Sequence, residues 1–138
     1  MGGRYHVFGF VGAGGMGEVY RAHDRELDEI VAVKTLRPEL AMRPALVERF
    51  RKEVRLARRV THPSVARVFE LHNAEGTRFV TMEYVEGEPL SGVLAREGPL
   101  HWGIVARIGA EVARALEAAH AAGVIHRDIK PDNVMLRA

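Results

Sequence analysis

An α+β fold is predicted for this chain: a small, mostly antiparallel five-stranded lobe with one helix, followed by the first helices of an α-helical lobe. Three observations point there. The first third breaks into short runs rich in β-branched and aromatic residues, separated by Gly-rich or charged turns. From Pro44 the apolar residues recur at helical spacing instead. Two further strand-like runs then precede a segment that stays helical almost to its last residues.

In order, the strands are YHVFGFV (5–11), GEVYRA (17–22) and EIVAVKTL (29–36). The run ALVERFRKEVRLARRV (45–60) puts Leu46, Phe50, Val54 (or Glu53) and Leu56–Ala57 on one side of a helix. Its seven basic residues between Arg43 and Arg59 read as a solvated face. His62-Pro63-Ser64 breaks the helix, and VARVFEL (65–71) and TRFVTMEYV (77–85) follow as strands joined by the turn 73–76. LSGVLARE (90–97) is a short helix. The run at 100–123 is a long one, with Ile108, Val112, Leu116 and Ala119 in a stripe, and with Arg107, Glu111 and Arg114 spaced to pair on the opposite face. Gly123 stands where a C-terminal cap belongs. VIH (124–126) and VML (134–136) are expected to form a short hairpin around the loop between them. The boundary between halves falls near Glu86–Pro89, giving 5–86 and 87–138.

A chain of 138 residues suits one domain, and its 47% hydrophobic content argues against disorder. The formal net charge of +2 lacks the signature of a nucleic-acid binder, and no stacking aromatics accompany the Arg-rich helix. Absence of cysteine excludes disulfides, thiolate metal sites and a cysteine nucleophile. No apolar run is long enough to cross a bilayer, and MGGRYH lacks a signal-peptide core, so a cytoplasmic location is expected.

Four groups of residues could carry chemistry. Gly12-Ala13-Gly14-Gly15-Met16-Gly17 is a GxGxxG run whose backbone N–H groups could lie against phosphates. A Gly-rich hairpin turn is an equal reading. A dinucleotide fold would need a helix next, whereas Glu18-Val19-Tyr20-Arg21 reads as a strand. Lys34, on the apolar strand Val31–Lys34, points either to solvent or into a cleft. Glu53 on the basic helix could hold that lysine in place, with Glu48 as a rival facing elsewhere. The last group is HRDIKPDN (126–133). There Asp128 could accept a hydroxyl proton, Lys130 could neutralise a migrating phosphoryl group, and Asn133 offers a hard oxygen for Mg²⁺.

GAGGMGEVYRA, VAVK, the helix glutamate followed by HP, MEYVEG and HRDIKPDN stand in the order and spacing of the protein kinase fold. From about Tyr5 to Leu136 the chain resembles the eukaryotic-type serine/threonine kinases of bacteria. The resemblance implies ATP and Mg²⁺ as cofactors and a protein serine or threonine as substrate. It implies that Gly12, Gly14 and Gly17 cover the phosphates, that Val11 and Gly15 also belong to the nucleotide site, and that Val19 and Ala32 close over the adenine. Lys34 would contact the α- and β-phosphates and pair with Glu53. Met82 would be the gatekeeper, the backbone of Glu83 and Val85 would bond the adenine edge, and Met135 would form the floor. Asp128 would be the catalytic base, with Lys130 beside it. Asn133 would bind Mg²⁺, and His126 would be a packing residue.

The family's DFG segment, activation loop and later helices do not occur within the 138 residues. An incomplete large lobe is therefore expected, with the apolar stripe of the long helix exposed for a partner chain to cover. Weak or no phosphotransfer by this chain alone is also expected, because one metal-holding carboxylate is missing. The alternatives are a non-catalytic, pseudokinase-like nucleotide-binding module and a remnant that does not fold.

Overall fold

The computed structural model describes residues 2–13, 17–125 and 129–137. It divides into two compact units, one of residues 1–59 with 66–84 and one of 60–65 with 85–138.

The first unit is built on strands β1 (Tyr5–Ala13), β2 (Glu18–Asp24), β3 (Glu29–Thr35), β4 (Val68–Ala74) and β5 (Thr77–Glu83). They form one antiparallel sheet in the order β1-β2-β3-β5-β4. Because side chains alternate across a strand, the sheet has two apolar faces. On one, Tyr5, Ala22, Val31, Val33 and Phe79 are buried together, with Val7, Phe69 and Ala74 against them. On the other, Val80 and Leu36 pack with Val47, Phe50 and Val54 of helix α2 (Pro44–Ala57). A short helix α1 (Pro38–Ala41), not expected from the sequence, adds Leu40 and Ala41 to that cluster. Val47 is buried where Leu46 was the expected contact, a difference of one position that turns the buried stripe along the helix.

The open end of the first face is closed by polar groups. Arg4 donates to both carboxylate oxygens of Asp24 at 2.9 Å, and Asp24 also accepts from the N–H groups of Glu26 and Leu27. These bonds, led by Arg4, hold the Asp24 carboxyl below the usual range. Next to it, His72 stacks on Phe79 at 4.9 Å and lies 3.2 Å from the Tyr5 hydroxyl. Burial lowers the pKa of this imidazole.

The second unit holds α3 (Leu90–Glu97), α4 (Trp102–Ala121), a 3₁₀ turn (Pro131–Asn133) and a two-stranded sheet of β6 (Gly87–Pro89) with β7 (Met135–Arg137). The expected VIH–VML hairpin is corrected here: among the described residues the VML strand pairs with Gly87–Pro89. That pairing requires glycine. Gly87 has φ 157, and a Cβ there would lie 2.1 Å from the Leu136 carbonyl oxygen. Helix α4 ends as expected, with Gly123 at φ 84 donating to His120 and Val124 donating to Ala119, a Schellman closure. The Arg107, Glu111 and Arg114 pairs do not form; all three side chains are exposed, without an ion pair among the described residues.

Candidate functional site

Strand register brings most of the sheet-borne candidates to one face. Gly12 pairs with Val19, Val19 with Lys34, and Lys34 with Val80. One step of two residues along, Arg21 pairs with Ala32 and Ala32 with Met82. Residues two apart on a strand share a face, so Val19, Ala32, Lys34 and Met82 stand side by side. Val80 and Met82 continue this face into the cluster that α2 covers. Ala32 is buried, Lys34 and Met82 are half-buried, and Val11 at the edge is exposed.

The two described glycines of the loop differ. At Gly12 an added Cβ would meet nothing within 4 Å among the described residues. At Gly17 it would lie 1.5 Å from the Thr35 carbonyl oxygen. Only a residue without a side chain allows β2 to start so close to the end of β3. Thr35 secures the same junction, since its hydroxyl contacts both the N–H and the carbonyl of Glu18. Nothing in the sequence marked Thr35. Arg21 was also missed: its guanidinium lies 4.7 Å from the Phe8 ring and 5.7 Å from the Tyr84 ring. The two-residue period from Val19 would have placed it on this face.

The Lys34–Glu53 pair is corrected. Glu53 accepts from Arg49, one turn earlier on α2, at 3.1 Å, and its side chain is 52% exposed. Glu48 bridges to Arg51 at 3.6 Å. Lys34 has no ion pair among the described residues. A neighbour at i−4 on the same helix reaches Glu53 with less ordering than a lysine on a separate strand. A half-buried ammonium with no ion pair among the described residues, on the strand next to Val19 and in line with Gly12, is a fit for an anionic phosphate chain.

At the end of β5, the Glu83 N–H donates to the Arg67 carbonyl at 2.7 Å, and its carboxylate accepts from the Arg67 N–H. In the second unit Val85 is half-buried. Met135 lies on β7 opposite Pro89, and Leu90 donates to the Val134 carbonyl. Asn133 ends the 3₁₀ turn, its N–H donating to the Lys130 carbonyl at 2.9 Å; both side chains are exposed. The amide oxygen of Asn133 is a hard donor of the kind Mg²⁺ takes. Gly14, Gly15, His126 and Asp128 lie outside the described residues.

Comparison with known proteins agrees along the chain. The family model described as protein kinase domain matches residues 5–138. The chain is 46% identical over 134 residues to the serine/threonine-protein kinase pkn3 of Myxococcus xanthus, covering 96% of this chain and 24% of that protein. It is 42% identical to PknA of Mycobacterium tuberculosis, covering 97% of this chain and 32% of PknA. The chain thus spans a quarter to a third of the length of these relatives. Among solved structures, the Mycobacterium tuberculosis PknI kinase domain matches with a TM-score of 0.84 at 33% identity, over 99% of this chain and 57% of that one.

Proposed function

The chain belongs to the protein kinase family, and from that premise we propose that it carries the nucleotide-holding part of an ATP-dependent serine/threonine kinase. The carrying observation is the row Gly12–Val19–Lys34, with Ala32 and Met82 beside it on the same face. Mg-ATP, when bound, supplies the transferable phosphoryl group and the metal charge that balances it. Lys34 holds the α- and β-phosphates as a point charge, while Gly12, Gly14, Gly15 and Gly17, with Val11, cover them. Val19, Ala32 and Met135 supply the apolar surfaces for adenine. Met82 limits the depth of the pocket. Glu83 acts through its carbonyl oxygen, because its N–H is engaged by Arg67, and Val85 acts through its backbone. Asp128 takes the proton of the acceptor hydroxyl, Lys130 faces the transferred group, and Asn133 holds Mg²⁺. With Glu53 paired to Arg49, binding draws on Lys34 alone unless Glu53 is released.

Titration of the 138-residue chain with a non-hydrolysable ATP analogue and Mg²⁺ tests this. Saturable binding is expected, weakened about ten-fold or more by Lys34→Ala, the effect of one lost charge-assisted contact. No binding, or binding indifferent to Lys34, overturns the reading. The chain alone is expected to transfer phosphate weakly or not at all. Robust phosphorylation of a protein substrate, abolished by Asp128→Asn, would contradict that.

A further inference from the structure

The basic face of α2 plays no part in nucleotide chemistry, and its charge pattern is unfavourable for the helix itself. Arg55 has cations on both sides: Arg51 and Lys52 one turn before it on the helix, Arg58 at the C-cap and Arg59 just beyond it. Like charges at these spacings repel. All five side chains are exposed, with Lys52 on the side away from the buried Val47, Phe50 and Val54, Arg51 and Arg55 beside it, and Arg58 one turn after Val54. Relief is scant. Glu48, at the far end, reaches only Arg51, and Lys52, Arg55, Arg58 and Arg59 have no carboxylate partner among the described residues. Attraction to the helix C-terminal dipole accounts for cations in the last turn, not for Arg51 and Lys52 before it.

We propose that this face is a docking surface for an acidic peptide segment of a partner protein. Arg51, Lys52 and Arg55 span about 6 Å of helix, since each residue rises about 1.5 Å, with Arg58 at its C-cap and Arg59 just after it. Guanidinium forks suit carboxylates, which they bind in bidentate fashion. Other polyanions fit less well. The face has no exposed aromatic on which a base could stack. Val47, Phe50 and Val54 are turned into the core and Leu46 and Leu56 are half-buried, so little remains to insert into a bilayer. An acidic segment would neutralise the repulsion centred on Arg55, which gives binding a driving force absent from an ordinary solvated face.

The test is fluorescence anisotropy of labelled hexaglutamate with the 138-residue chain, at about 50 and about 200 mM salt. Binding at low salt that weakens with added salt is expected. Arg55→Gln should reduce affinity about ten-fold or more, with Lys52→Gln and Arg59→Gln following it. Arg107→Gln on α4, which removes the same charge elsewhere, should change affinity little. The melting temperature of Arg55→Gln should not fall, because the substitution removes four repulsions. No binding at low salt, or equal losses for Arg55→Gln and Arg107→Gln, overturns the proposal. Tighter binding of oligothymidylate or of phosphatidylserine vesicles than of hexaglutamate overturns the choice of partner. Nucleotide titration reads a different surface, so failure of either proposal leaves the other standing.

Discussion

The two units of the chain use their apolar residues in opposite ways. In the sheet unit five buried side chains touch one another on one face of the sheet, and on the other face Val80 and Leu36 meet three buried side chains of α2. In the second unit α4 runs for 20 residues without burying one, and Trp102 remains 78% exposed, with Ile104 and Val105 also open. Length of helix is therefore no measure of stability here. What holds the candidate residues Val19, Ala32, Lys34 and Met82 in register is the sheet, packed against α2 on their own face; on α4 the stripe Ile108, Val112, Leu116 and Ala119 is only half-buried. Stability should be graded accordingly, high across β3 and β5 and low along α4.

The largest expected effect strikes the sheet core. Phe79, 1% exposed, should cost about 3–5 kcal/mol on change to alanine, read from urea unfolding. Gly17→Ala comes next, at about 1–3 kcal/mol for forcing the strands apart, with loss of ATP-analogue binding. Retained binding would show that the β2–β3 junction does not position the loop.

Asp24→Ala should cost about 1.5–3 kcal/mol, since it strips a buried acceptor from the Arg4 guanidinium. The same pair sets an acid limit. Because the folded carboxyl sits below its ordinary value, its contribution is present above about pH 4 and is lost as pH falls further. His72 acts earlier and more gently. Its folded pKa is also lowered, so the neutral ring's contribution is present above about pH 6.5 and declines below that. Facing it are Glu70, Tyr5, Arg4 and Asp24. His72→Phe should remove the slope near pH 6 from melting curves while leaving the slope near pH 4.

The smallest effect is expected on α4, where Ile104→Ser should change stability by less than about 0.5 kcal/mol. A loss comparable to that of Phe79→Ala would erase the contrast between the units. Hydrogen exchange sharpens it, with α4 amides expected to exchange well before those of β5.

Much of this was legible in the residues. The two-residue alternation in EIVAVKT marks β3, and the helical spacing of Phe50 and Val54 marks the buried face of α2. Gly123 announces the end of α4 by its φ requirement. The errors have physical causes. α1 is four residues long, too short for any period to register. The strand at Met135 was assigned a nearby partner, but sequence proximity says nothing of a pairing with Gly87 across more than forty residues.

By itself the sequence determined the antiparallel lobe, the order of the candidate motifs and the charge on α2, because alternation, glycine spacing and composition are local properties of the chain. Only the tertiary structure decided that Glu53 pairs with Arg49 rather than Lys34, that Gly17 lies against Thr35, and that β7 finds β6. Those outcomes turn on which competing partner lies within reach: one turn away on the same helix for Glu53, on a distant segment for Gly17 and β7.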